Sequence, residues 1–143
     1  MSDILIRLDG EPRGKGRPRF GNGRTYTDAT TRRYEEHLGN QATIAMIGRD
    51  ILTGPLRVKV YAEFPIPASW PKWKRTAATA RAVYHTGRPD TDNLVKVIDA
   101  LNGVVWRDDS QVAHVTAWKR YGPEPHLSII VSELPDASVK EAA

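Results

Sequence analysis

The stretch "PLRVKVYAEFPIP", residues 55–67, puts Leu56, Val58, Val60, Ala62 and Phe64 at every second position, with Arg57, Lys59, Tyr61 and Glu63 between them. A period of two describes a half-buried strand, and the prolines close it. Upstream, Ile4, Ile6 and Leu8 in "ILIRLDGEP" repeat the pattern up to Gly10 and Pro12. Between these strands the spacing predicts a helix from about Thr30 to Ile47, capped by Thr30 or Thr31. Its inward face would hold Tyr34, Leu38, Gln41, Ala42, Ala45 and Met46, and Gly48 would stop it. Downstream, "ASWPKWKRTAATARAVYHTG" carries either a short helix over Lys74–Val83 or an excursion that lies on the substrate. A helix from Asn93 to about Leu101 follows, capped by Thr91 or Asp92, with Leu94, Val97, Ile98 and Leu101 inward and Gly103 at its end. Two more strands lie near "VAHVTAWKRY" and "HLSIIVSEL". This order argues one compact α+β domain over residues 1–143, a mixed or antiparallel sheet packed with two or three helices. The segment 13–27, "RGKGRPRFGNGRTYT", has neither period and reads as a basic, mobile loop, and residues 135–143 read as a frayed tail.

A chain of 143 residues can bury roughly two-thirds of its unfolded surface in one core. There is no cysteine, which excludes disulfides and thiolate metal sites. No apolar run has the length of a signal peptide core or a membrane span, so a soluble, cytoplasmic protein is expected. The net charge of +4 is unevenly spread. Residues 13–33 hold seven Lys/Arg against Asp28, residues 57–88 hold seven against Glu63, and residues 89–143 hold five against nine acids. Two basic segments and one acidic segment suit an enzyme acting on nucleic acid, although solvated surface runs would show the same ratios.

The acidic segment carries the chemistry. In "RPDTDNLVKVIDALNG", residues 88–103, Asp90 and Asp92 stand at the mouth of the helix. Asp92, Lys96 and Asp99 recur at i, i+4 and i+7 and share a face beside the buried stripe. Asp90, extended by Pro89, points the same way. Asp108 and Asp109 in "WRDDSQV" open the next strand, where neighbours face opposite sides, so one of them joins the cluster. Such carboxylates repel unless a cation or proton lies between them. Hard oxygen donors with few soft ligands describe a site for Mg²⁺, with Mn²⁺ as a substitute. Such an ion polarises a phosphodiester and activates water, and Lys96 would orient that water or offset charge at phosphorus. His85, five residues before Asp90, is a further candidate for contact. Each group also has a plainer role. Asp92 alone reads as an N-cap worth about 1 kcal/mol, Lys96 and Asp99 as a surface pair, Asp108 and Asp109 as turn residues. Their accumulation favours a site. "DTDNL" lacks the later ligands and glycine of an EF-hand, "GEPRGKG" lacks P-loop spacing, and the histidines lack zinc spacing.

"RPDTDNLVKVIDALNGVVWRDDSQV" resembles the signature of the RusA-type endodeoxyribonucleases, which resolve Holliday junctions. The shared features are a Pro-Asp-x-Asp-Asn-Leu-x-Lys run, an Asp-Ala-Leu segment and Asp-Asp-x-Gln-Val. The resemblance implies a RusA-like α+β homodimer whose two Mg²⁺-dependent sites make paired cuts in a four-way junction. It assigns Asp90, Asp92 and Asp109 to the metal and Lys96 to the essential lysine, with Asp99 supporting and Asp108 competing for the third carboxylate. The stretch 69–87 is longer than the compact family pattern. Lys15, Arg17, Arg19, Arg24, Lys72, Lys74 and Arg75 are candidate phosphate contacts, whose affinity would fall steeply with salt. Trp70 and Trp73 would either stack on unpaired bases or pack around their proline-rich turn. Two classes of function follow. One is a nuclease selective for junctions, or for flaps and forks; the other is a non-catalytic module that binds branched DNA, in which the acids only cap a helix and close a turn.

Overall fold

The computed structural model describes residues 3–16, 19–26 and 28–135. Arg17 and residues 136–143 of the expected tail lie outside them. The strand read from 55–67 is β4, Leu56–Phe64, an inner strand of a four-stranded sheet. The others are β1 (Ile4–Asp9), β5 (Val112–Tyr121) and β6 (His126–Glu133), in spatial order β1-β6-β4-β5. β6 runs antiparallel to both β1 and β4, while β4 and β5 are parallel, so the sheet is mixed. A parallel pair needs a long crossover, and this one carries the acidic segment.

Register builds the core. Ile6 and Val60 both pair with Ile129, and Ile4 and Val58 both pair with Val131, so the inward side chains form continuous rows. All are buried, and each contributes about 1.5–3 kcal/mol of hydrophobic stabilisation. Helix α1, Ala29–Ala45, covers these rows with Thr31, Tyr34, Leu38 and Ala42, followed by Met46. Gln41 is exposed because this stripe is too narrow to include it. The cap is Asp28 instead of Thr30 or Thr31. Its carboxylate accepts from the Thr31 amide at 3.1 Å and the Thr31 hydroxyl at 2.6 Å, so the threonine serves as the cap's partner.

Three expectations need correction. The basic segment 13–27 is not wholly irregular, since it forms a hairpin of β2 (Arg19–Gly21) and β3 (Arg24–Tyr26). Asn22 and Gly23 turn it with φ of 52° and 76°, the left-handed geometry that Asn-Gly favours. The helix expected at 74–83 is α2, Lys72–Thr79, and the chain turns at Arg81 with φ 62°. The helix expected from Asn93 starts earlier, as α3 (Thr91–Lys96), and tightens into a 3₁₀ turn over Val97–Leu101. Leu94, Val97, Ile98 and Leu101 are buried as expected, and Gly103 follows with φ 79°. Among the described residues, no helix is long and apolar enough to cross a membrane.

Candidate active site

The site lies where the crossover enters and leaves the core. Asp90 is the N-cap residue of α3, with extended backbone, yet its side chain makes no capping hydrogen bond. Asp92 lies inside the first turn and is not the cap, and its carboxylate stands 3.8 Å from Lys96 Nζ. Both groups of this pair are exposed, and the pairing itself stabilises by no more than about 1 kcal/mol. The carboxylates of Asp90 and Asp92 are therefore not consumed by holding the helix. Asp90 lines a groove of ≈ 800 Å³ together with Arg13, Lys15, Arg88 and Asn93.

The loop before Asp90 is tied down by a residue that sequence reasoning missed. Lys119 of β5 donates from Nζ to the carbonyl oxygens of Gly87 at 2.8 Å and Pro89 at 3.0 Å, across a cis Arg88–Pro89 peptide. Its signal was parity, because Lys119 pairs with inward-facing Ala62 in register. His85 lies in the same loop but packs on the core. Its ring stacks on Phe64 at 3.9 Å, and burial, with the nearby Lys119 charge, lowers its pKa.

Asp108 and Asp109 do not begin a strand. They open a 3₁₀ turn over Asp109–Gln111, in which Asp108 is the N-cap and accepts from the Ser110 amide at 3.1 Å. The Ser110 side chain first, and then this amide bond, hold the Asp108 carboxyl below its ordinary pKa. Gln111 completes a capping box: its Oε1 accepts from the Arg107 and Asp108 amides, while its amide donates to the Leu52 and Gly54 carbonyls. Upstream, fully buried Trp106 donates from its indole to Asn102 Oδ1 at 2.6 Å. The turn is thus pinned from both ends, and Asp109 is directed to Asp99. A carboxyl hydrogen bond with Asp99, followed by desolvation and the repulsion of Asp99 and Asp108, raises the Asp109 pKa.

Asp99 also reaches Lys15, whose Nζ lies 3.3 Å from Asp99 Oδ2 and 3.6 Å from Glu35 Oε2. Glu35 is a second residue that sequence reasoning missed. It adjoins buried Tyr34 on α1, and its partner is too remote in the chain to leave a local pattern. Burial raises its pKa, with Lys15 opposing the shift.

All the candidate ligands present hard carboxylate oxygens. That donor chemistry is of the kind Mg²⁺ takes. Among the described residues, no three Asp, Glu or His side chains converge into a preformed ligand cluster. The structure thus joins Asp92 to Lys96 and Asp109 to Asp99, without gathering Asp90, Asp92 and Asp109 into one cage.

Lys15 apart, the described basic candidates make none of these contacts. Arg24 is exposed on the hairpin, and Arg19 lies on β2 of the same hairpin. Lys72 and Arg75 are exposed on α2, whereas Lys74 Nζ sits 4.0 Å over the Trp70 ring. Trp70 packs edge-on against Tyr121 at 4.9 Å, and Trp73 is exposed.

The chain combines a mixed-sheet α+β fold, a crossover rich in carboxylates and a groove lined by Arg13, Lys15 and Arg88 beside Glu11 and Asp90. A family model for the endodeoxyribonuclease RusA matches residues 9–132. The chain is also similar to YqaN of Bacillus subtilis strain 168, an uncharacterized protein: they are 35% identical over 143 residues, covering 94% of this chain and 99% of that protein. The chain belongs to the RusA endodeoxyribonuclease family.

Proposed function

We propose that this protein is a Mg²⁺-dependent, structure-selective endonuclease that acts as a homodimer and resolves four-way DNA junctions by paired symmetric cuts. The observation that carries the reading is Asp90: it holds the N-cap position of α3, makes no capping bond there, and lines a groove with Arg13 and Arg88, and with Glu11 at its edge. Asp90, Asp92 and Asp109 would hold the ion, which when bound polarises the phosphodiester and lowers the pKa of an attacking water. The remaining work falls to the protein. Arg13 and Arg88 draw the DNA backbone into the groove and fix the phosphate. Lys96, beside Asp92, offsets the charge that builds on phosphorus as the water adds and the bond to the leaving oxygen breaks. Two-fold symmetry would place one such site on each of two opposed strands.

The test is incubation with end-labelled four-way junction, flap, linear duplex and single strand, with and without Mg²⁺ or Mn²⁺. Symmetric nicks confined to the junction are expected, and Asp92→Asn should abolish them while junction binding stays intact or tightens. Cuts confined to flaps would redirect the substrate. Wild-type rates in Asp92→Asn would move the site elsewhere, and intact DNA under all metal conditions would leave a binding module.

A further inference from the structure

Lys15 belongs by sequence to the basic run, but its setting is unlike that of a phosphate contact. Its backbone amide donates to the Asn93 carbonyl at 2.9 Å, docking the segment along the first turn of α3. A Cβ at Gly14 would lie 2.8 Å from Pro89 Cβ and 2.9 Å from Asn93 Cβ. At Gly16 it would lie 2.7 Å from Asp28 Oδ1, and the Gly16 amide donates to Thr31 Oγ1 at 3.1 Å. Gly14-Lys15-Gly16 is thus threaded between the N-termini of α1 and α3, where side chains on either flank would collide. This threading delivers the ammonium to Glu35 and Asp99, at 3.6 and 3.3 Å. The Glu35 side chain is only 17% exposed and Lys15's 26%, so the pair is shielded from solvent much more than the Asp92–Lys96 pair at 71% and 59%. A Lys15 drawn out to a DNA phosphate would leave Glu35 partly buried and unpaired, and Asp99 facing Asp109 without its counter-ion.

We infer that Lys15 is a positioning residue: its ammonium, anchored on Glu35, holds Asp99 in place against Asp109, and it acts through Asp99 instead of contacting DNA. This rests on the nuclease reading of the site. The role separates the lysine from the exposed basic residues around it, which would serve the DNA backbone.

The experiment compares wild type with Lys15→Met, Lys15→Arg, Glu35→Gln and Arg24→Ala on a four-way junction. Binding is measured without divalent metal at several salt concentrations, and cleavage in single turnover at saturating protein. Arg24→Ala, losing a phosphate contact, should flatten the plot of log K against log salt by about 0.9. Lys15→Met should leave that slope unchanged while cleaving about tenfold more slowly, and Lys15→Arg should recover most of the rate. Glu35→Gln keeps the ammonium but loosens its anchor, so it should slow cleavage at unchanged slope even if Lys15→Met fails to fold. A slope flattened by about 0.9 in Lys15→Met, with the wild-type rate, would make Lys15 a phosphate contact and overturn the inference. Rates unchanged in both Lys15→Met and Glu35→Gln would overturn it too. If wild type cuts nothing, the nuclease reading falls by itself, and the slope still decides whether the Lys15 charge meets DNA.

Discussion

Two helical turns in the same crossover begin with an aspartate in extended backbone, Asp90 with ψ 150° and Asp108 with ψ 144°. At Asp108 the carboxylate turns back onto the Ser110 amide and Gln111 closes the box. At Asp90 the carboxylate makes no capping bond and lines the groove. The Asp90 turn can do without its cap because other bonds secure it. Lys119 holds the preceding carbonyls, the Lys15 amide bonds the Asn93 carbonyl, and Leu94, Val97 and Leu101 are fully buried beneath. One residue type in one local position closes a capping bond in one turn and leaves its carboxylate unspent in the other, where bonds from Lys119 and Lys15 secure the turn without it. That freedom makes Asp90 a better ligand candidate than Asp108.

The contrast predicts opposite outcomes for paired substitutions. Asp90→Asn should leave the melting temperature near wild type and reduce cleavage on the order of a thousandfold, the scale of losing several kcal/mol of transition-state stabilisation. Asp108→Ala should lower the melting temperature and leave most of the cleavage. If Asp90→Asn melts like Asp108→Ala, then Asp90 holds the fold and the comparison fails. A smaller effect sharpens the other side. Gln111→Ala removes the acceptor of two backbone amides and the donor to two backbone carbonyls, and it should cost roughly 1–3 kcal/mol in urea unfolding. An unchanged unfolding midpoint would mean that the turn is pinned by Trp106 and not by its capping box.

What was legible follows from the range of the interactions. Alternation in β4 and the order of elements were enough for an α+β domain, because each periodic stretch reports its own burial, but they left the sheet mixed or antiparallel until the parallel β4–β5 pairing decided it. Asp90, Asp92 and Lys96 were visible as a local cluster. The hairpin at 19–26 was hidden by the glycine, proline and arginine around it, although Asn22-Gly23 was a usable turn signal. The switch from α3 to a 3₁₀ turn has no evident mark in its residues. Glu35 and Lys119 were missed for a different reason: Lys15 and the Gly87–Pro89 carbonyls become their neighbours only after the chain has folded. Local pattern shows a side chain's face, not which distant partner will meet it.

The finest test lies within the second turn, in the titration of its two carboxyls. Asp109 and Asp108 are adjacent and exposed, yet their pKa values move in opposite directions. Asp108 is lowered because its ionised form accepts from Ser110. Asp109 is raised, first because its protonated carboxyl bonds Asp99, then by desolvation and by the nearby negative charges. As pH falls, Asp109 therefore takes up its proton before Asp108 does, and it loses its value as a cation ligand first. Asp99→Asn should remove the repulsion and offer an amide N–H to the ionised form, both of which lower the Asp109 pKa. Carboxyl ¹³C NMR of the metal-free protein should show Asp109 moving toward the ordinary aspartate value of about 3.9 in this variant, with Asp108 unchanged. An Asp109 that stays raised would place the cause outside Asp99 and detach it from the Lys15 network. Movement of both carboxyls together would mean that Asp108 and Asp109 share one electrostatic environment.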